Sequence, residues 1–487
     1  MAPSIAKNTA YLTVASIGQK LVAFAYFLFV ARVIGPEHTG AYFLALSITT
    51  IFSVIADVGV TPVVIREVAK RPEDAADLIG RALWTKVPFM AVGVLGAIGT
   101  AMALGYEPLV VQLVAWASLV MLADAISLLF YGALRGAHAL QYESLGVFVG
   151  QILTAVTGAI VLVVSPSLFL LVGALIIGSV FNAAFSAWHV AKRLGSRVFR
   201  FRWDATALRA LMIAALPFAL AGVFVKVYSY VDSVFISKYV GTEAVGVYSI
   251  AYKLTYAFQF LPMAFVAALY PGMSAVVGKD EKRLGEIFTD AMWYVAVIGV
   301  PITFGIWSVA ADAVALAGEG YAKAVPVLQW LVFVLIPIFL DFPIGSLLNA
   351  SNRQATKTAI MGVTMVINVI LNAWLVPTYG IVGAAWAALA SFSFLFVAGL
   401  RYVPQLIPGY HFSHLLRMLA PIVVSGAVMA GFVWFFRPII GLIPVVVLAV
   451  VLYGVLLMAS GSVRPEHWAH VQRFYRRFYA PPASHDR

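Results

Sequence analysis

The chain has 487 residues, of which 62% are hydrophobic and 11% charged, with a mean hydropathy of +0.96. A soluble domain carries roughly a quarter of its residues as charges, so this composition excludes a soluble enzyme or nucleic-acid-binding protein and describes a membrane protein. The net charge of +11 then reflects loop topology rather than a nucleic-acid partner, and the lack of cysteine removes disulfides and thiolate metal sites.

The first apolar run, 9–34, follows Lys7 and contains Lys20. It is too long for the apolar core of a signal peptide and reads as a spanning helix. Further spans are predicted at 40–64, 82–104, 109–134, 144–164 and 167–192. A second set follows at 208–238, 246–270, 289–310, 325–350, 356–376 and 381–403, and a last pair at 415–436 and 439–459. The expected fold is an all-α polytopic membrane protein with fourteen transmembrane helices. With both termini in the cytoplasm, 25 of the 32 Lys and Arg fall on the cytoplasmic side. Arg32, Lys238, Lys323 and Arg437 fall outside, and Lys20, Lys226 and Lys253 remain in the membrane. That bias predicts a multi-pass protein of the plasma (inner) membrane with an even number of spans. In the tail, Trp468, Val471, Tyr475 and Phe478 share one helical face, with Arg473, Arg476 and Arg477 off it. This reads either as an interfacial helix on the anionic inner leaflet or as a solvated basic tail.

The chain repeats. A shift of 206 residues places Lys20 on Lys226, Arg32 on Lys238, and Gly35, Glu37, Gly40 and Tyr42 on Gly241, Glu243, Gly246 and Tyr248. Apolar helices match by chance, but a mid-membrane lysine followed by a Gly–Glu–Gly–Tyr turn does not easily do so. Asp124 and Asp341 also occupy similar depths. The expected organisation is therefore a six-helix bundle at 1–195, a second at 205–405 in parallel pseudo-two-fold repeat, a helix pair at 412–460, and a basic cytoplasmic tail at 461–487. Two such bundles suit a transporter whose site lies between the halves.

A Lys or Asp at the membrane centre costs about 2.5–3.5 kcal/mol on insertion scales and needs a reason. Lys20, Lys226 and Lys253, with Arg32 and Lys238 at the outer helix ends, are candidates for a cationic cavity holding an anionic headgroup. Tyr248, Tyr252 and Tyr256 are candidates for hydrogen bonding and stacking against sugar. The bland alternatives are snorkelling for Arg32 and Lys238, a Lys253–Asp232 pair, and ordinary packing for the tyrosines. Asp57, Asp124, Asp232 and Asp341 are candidates either for coupling to a proton or Na⁺ gradient or for internal ion pairs, with Asp57 pairing with Arg66. Pro217, Pro262, Pro301, Pro337 and Pro343 fall inside predicted helices and permit kinks. No enzymatic motif is present. "HFSH" at 411–414 and "HWAH" at 467–470 lack a third ligand, so no metal and no resident cofactor is expected.

The stretch "LFVARVIGPEHTGAYFLALSIT" followed by "ADVGVTPVVIREVAK" resembles the start of the polysaccharide transporter family. These are the Wzx-type oligosaccharide-lipid flippases of the multidrug/oligosaccharidyl-lipid/polysaccharide exporter superfamily. "VDSVFISKYVGTEAVGVYSIAYKL", "LPMAFVAALYPGMSAV", "GEGYAKAVPVLQWL" and "NASNRQATKTAIMGVTMVINVILNAWLVPTYGIVGAAWAALAS" continue the similarity in order, over about 5–405. The resemblance implies a flippase for glycans on a polyprenyl phosphate or pyrophosphate, serving O-antigen-type surface polysaccharide or other cell-envelope glycan assembly. Its expected partners are that lipid-linked glycan, membrane lipids and other members of the assembly pathway, with the protein itself a monomer. Lipid II flippases and drug exporters of the superfamily are the competing readings. The Arg-Asp that marks the former is replaced by "QKLVAFAYF" here, and the latter prefer cations. An intramembrane glycosyltransferase or polymerase, the alternative from a different class, would need a large outer loop or clustered carboxylates.

Overall fold

In a computed structural model, which describes residues 5–201 and 205–463, the chain is a bundle of helices without strands among the described residues. The helices are α1 (Ile5–Asp57), α2 (Val60–Lys70), α3 (Ala75–Ala103), α4 (Pro108–Gly136), α5 (Leu140–Val164) and α6 (Leu168–Leu194). There follow α7 (Ala205–Tyr239), α8 (Thr242–Tyr256), α9 (Phe260–Val276), α10 (Glu281–Ser308), α11 (Ala310–Ala315), α12 (Ala324–Leu331) and α13 (Leu335–Ala350). The last are α14 (Gln354–Leu400), α15 (Val403–Leu406), α16 (Phe412–Ile440) and α17 (Leu442–Ala459). Eleven stretches of described helix are long and apolar enough to cross a membrane.

Two long helices are broken by glycine. Gly35, at φ 76°, splits α1, and Pro36 starts the second leg at a position where its missing N–H costs nothing. Gly380, at φ 60°, splits α14 in the same way. The predicted span 246–270 is also divided: α8 stops at Tyr256 and α9 starts at Phe260, two residues before Pro262. Proline cannot donate to the carbonyl four residues back, so the helix ends there and begins again. Pro337 similarly follows a short 3₁₀ turn at Val332–Val334.

The packing is that of a lipid-bathed bundle. Large apolar side chains such as Val163, Ile443 and Trp434 face outward, whereas small residues let the helices approach. On α5, Gly146, Gly150 and Gly158 leave room for the Tyr131 hydroxyl, the Asn182 amide and the Tyr26 hydroxyl, each of which a Cβ would strike. The helices α1, α4, α5 and α6 pack together, as do α7, α10, α13 and α14, and α16–α17 lie against α10.

The two groups meet chiefly where α1 crosses α8 and α7. Here a Cβ on Gly40 would lie 1.9 Å from the Thr242 carbonyl oxygen, and a Cβ on Gly246 would lie 1.9 Å from the Pro36 carbonyl oxygen. This reciprocal contact joins residues that the 206-residue shift equates. Toward the Lys70 end of the bundle a second close crossing forms. Gly59, at φ +66°, would place a Cβ 2.6 Å from the Ala215 carbonyl oxygen and 2.5 Å from the Ala219 nitrogen.

Candidate substrate chamber

Between these two crossings lies a chamber of about 610 Å³. Its size falls within the 300–1,000 Å³ range of ligand pockets. Helical periodicity explains the lining. Ala23, Phe27 and Val30 share one face of the first leg of α1, and Phe43, Ser47, Thr50, Val54 and Asp57 share one face of the second. α4 contributes Asp124, α5 contributes Gln151, α7 contributes Lys226 and Tyr230, and α8 contributes Lys253.

The two lining lysines come from one side of the seam and reach toward the other. The Lys226 ammonium lies 5.8 Å from the centre of the Tyr230 ring and is electrostatically coupled to Asp124 on α4. The Lys253 ammonium sits over Phe27 and Phe43 of α1, 5.1 and 5.6 Å from the ring centres. Ring faces attract the ammonium without cancelling its charge. Among the described residues, no carboxylate lies within 4.0 Å of either ammonium. Lys20 is exposed and stands one turn before Ala23 on the chamber-lining face of α1, close enough to Lys253 for the two charges to interact.

The other candidates divide clearly. Lys238 donates to the Leu104 carbonyl at 2.9 Å, and Arg32 packs its side chain near Gly318, so both cations bridge the seam at the Gly35 end rather than line the chamber. Tyr248 is fully buried and donates to Asp232 at 2.7 Å. Tyr252 packs between Phe43 and Tyr256, and Tyr256 extends the stack toward Phe392. These three tyrosines lie behind the chamber wall, and Tyr26, Tyr42 and Tyr230 line it instead.

The four acids have different surroundings. Asp57 is held by Lys86 at 2.7 Å and by the Thr61 hydroxyl at 2.7 Å, not by Arg66, which contacts Glu67. Asp341 is held by Lys357 at 2.6 Å. Lys86 and Lys357, counted with the cytoplasmic charges in the sequence, therefore neutralise acids inside the bundle. Asp124 is accessible from the chamber. Asp232 is 2% exposed and is met by neutral donors, Tyr248 and Asn372, not by Lys253. Beside it, Asn372 Oδ1 and Asn368 Nδ2 are buried without partners.

No group of three or more potential metal-ligating His, Cys, Asp or Glu residues occurs among the described residues. Residues 464–487, with the basic tail and "HWAH", lie outside the described residues.

The fold is shared with solved membrane-protein structures. Its likeness to "Lipid II flippase MurJ, inward closed conformation" has a TM-score of 0.75 at 13% identity, covering 96% of this chain and 99% of that one. Its likeness to an inward-facing multidrug resistance MATE family transporter of the MOP superfamily has a TM-score of 0.67 at 15% identity, covering 82% and 98%. The family described as "Polysaccharide biosynthesis protein" matches residues 5–277, and the MatE family matches residues 217–374.

The chain belongs to this polysaccharide-biosynthesis family, as the motifs around Gly35 and Gly241 implied, and is a multi-pass membrane protein. "Probable low-salt glycan biosynthesis flippase Agl15" of Haloferax volcanii is 22% identical over 460 residues, 94% of this chain and 95% of that protein. "Probable flippase AglR" of the same organism is 28% identical over 184 residues, and that match spans 37% of this chain and 39% of AglR.

Proposed function

We propose that the protein is a flippase that carries a polyprenyl-(pyro)phosphate-linked oligosaccharide from the cytoplasmic to the outer leaflet by alternating access. The observation that carries this reading is the pair of ammonium groups, Lys226 and Lys253, that line the chamber without a contacting carboxylate. Fixed ammonium groups in a water-poor site replace the hydration of a phosphate, while the prenyl chain stays in lipid. Lys20 extends the same cationic face toward the cytoplasm. Arg32 and Lys238 act at the outer seam, and Tyr248, Tyr252 and Tyr256 support the wall behind Tyr230. The glycan flippase relatives fit this substrate class.

In this reading α1 and α14 each cross the membrane twice, around Gly35 and Gly380, and α8 with α9 cross once, giving fourteen spans. The bundles 1–195 and 205–405 rock as units, the pair 412–460 rides on the second, and both termini are cytoplasmic. The protein works as a monomer in the plasma membrane, within a glycan assembly pathway. Coupling to a proton or Na⁺ gradient falls to Asp124 and Asp232, the acids that no lysine neutralises by contact. Asp57 and Asp341 are internal ion pairs.

Deletion of the gene is expected to leave the lipid-linked glycan intact and confined to the cytoplasmic leaflet, as read by lectin access to vesicles of each orientation. Glycan reaching the outer leaflet at the normal rate without the protein would sink the proposal.

The two glycine crossings are the seams that part in turn. Because a side chain at Gly246 meets backbone, Gly246→Val is expected to force the outer seam open. The chain lacks cysteine, so a single Ser53→Cys reports access to the chamber. Labelling by a membrane-impermeant maleimide from the outside should rise severalfold in the Gly246→Val background. Unchanged labelling would place the seam elsewhere.

A further inference from the structure

At the Lys70 end of the bundle lies a basic and aromatic surface that the chamber does not use. Its frame is α6. Leu170, Ile177, Val180 and Trp188 are exposed at helical spacing along one face of that helix. One turn past Trp188, on the same face, stands Lys192, whose ammonium lies 5.3 Å from the centre of the Trp188 ring. Beside it the Arg193 guanidinium lies 4.9 Å from the centre of the Tyr142 ring and donates to the Tyr142 hydroxyl at 3.2 Å. The rings steady both cations without cancelling their charge.

After Gly195 the chain forms a 3₁₀ turn, Ser196–Phe199, packed on α3. Its seat is fixed. Val198 is buried, the Trp84 indole donates to the Phe199 carbonyl at 3.3 Å, and a Cβ on Gly80 would stand 3.2 Å from the Arg200 carbonyl oxygen. Phe199 meets Phe130 edge-on and Phe201 meets Trp84 edge-on, yet both phenylalanines keep an exposed side. Arg197 and Arg200 are exposed beside them.

The charge of this surface is not answered from within the protein. The sequence holds no Asp or Glu between Glu143 and Asp204. Among the described residues, no carboxylate lies within 4.0 Å of Lys192, Arg193, Arg197 or Arg200. Other exposed arginines carry their own acids, Arg66 contacting Glu67 and Arg283 contacting Glu286. The matching occupant is therefore anionic. It is also partly apolar, because the cations sit where the exposed apolar face of α6 ends in Trp188, the level at which aromatic belts meet lipid headgroups. A phospholipid satisfies both demands, with an acyl chain along α6 and its phosphodiester among the cations.

We propose that Lys192, Arg193, Arg197 and Arg200 form a binding site for the headgroup of an anionic phospholipid, with Trp188 and Phe201 bordering its acyl chains. The bound lipid holds the connection between the bundles against α3. This goes beyond the flippase reading and stands without it.

The test uses the purified full chain in lipid nanodiscs that carry photoactivatable phosphatidylglycerol or, at the same mole fraction, photoactivatable phosphatidylcholine. Crosslinks are mapped by peptide mass spectrometry. Each basic residue at an anionic lipid surface is worth about fivefold in affinity, so phosphatidylglycerol should label residues 188–201 about tenfold more than phosphatidylcholine. In Arg197→Gln/Arg200→Gln the preference should fall to about twofold, with phosphatidylcholine labelling unchanged as the sign of an intact fold. In Lys279→Gln/Lys282→Gln, which removes as much charge from exposed positions around the start of α10, the preference should stay. Equal labelling by the two lipids, a preference that survives in the arginine variant, an arginine variant that loses both labels, or a preference lost equally in the lysine variant overturns the proposal. Displacement of the probe by undecaprenyl phosphate but not by unlabelled phosphatidylglycerol overturns it as well.

Discussion

Lys226→Ala is expected to lower delivery of lipid-linked glycan to the outer leaflet by about a hundredfold while the protein accumulates normally. The two halves of this expectation come from the same physics. A lysine near the membrane centre costs about 2.5–3.5 kcal/mol to insert, so its removal does not endanger the fold. Truncating one partner of a desolvated charge pair costs about 2–5 kcal/mol, which spans the hundredfold range. In the proposed complex that partner is the carrier phosphate. Asp124 contributes as well: with Lys226 gone its carboxylate stands accessible and uncompensated in the chamber and repels the incoming anion. Lys226→Arg keeps the charge and should recover part of the rate. The measurement is outer-leaflet glycan per molecule of protein in a complemented deletion strain. Full transport by Lys226→Ala would remove this lysine from the mechanism.

Asp57→Ala is expected to destabilise the bundle by about 3–5 kcal/mol. Lys86 is 0% exposed, and among the described residues its ammonium is held only by Asp57 at 2.7 Å and by the Ala125 carbonyl at 2.7 Å. Without the carboxylate a buried cation remains with one neutral acceptor. Replacing both charges, as Asp57→Ala/Lys86→Met, removes the uncompensated group and should restore most of the lost stability. Thermal unfolding in detergent of the single and double variants checks this. A single variant as stable as wild type would mean that the ammonium finds water or another acceptor. The pair also has a functional consequence. A free Asp57 would offset one of the chamber lysines, and Lys86 prevents that.

Much of this arrangement was legible from residue spacing. The glycine of "VIGPEHTG" and that of "PTYGIVG" marked the breaks at Gly35 and Gly380, because only glycine takes such backbone angles without strain. The deep lysines marked the chamber, because apolar surroundings make an unpaired charge conspicuous. Two things were not legible. Lys86 and Lys357 read as cytoplasmic charges because they sit near helix ends, and a one-dimensional rule cannot see a carboxylate on a neighbouring helix. The tyrosines of α8 read as cavity residues because periodicity identifies a buried face without saying whether protein or water lies beyond it. The polar face of "SITTIFSVIAD", with Ser47, Thr50, Ser53 and Asp57 at helical spacing, was the signal available for the polar side of the chamber.

The claim on which the rest depends is that a phosphate-bearing lipid head enters the chamber and meets ammonium groups from the second bundle. Cryo-electron microscopy of the protein in nanodiscs with bound undecaprenyl pyrophosphate tests it most directly. The account predicts diphosphate density in contact with Lys226 and Lys253. Diphosphate resting outside the chamber, with both lysines unengaged, would contradict it.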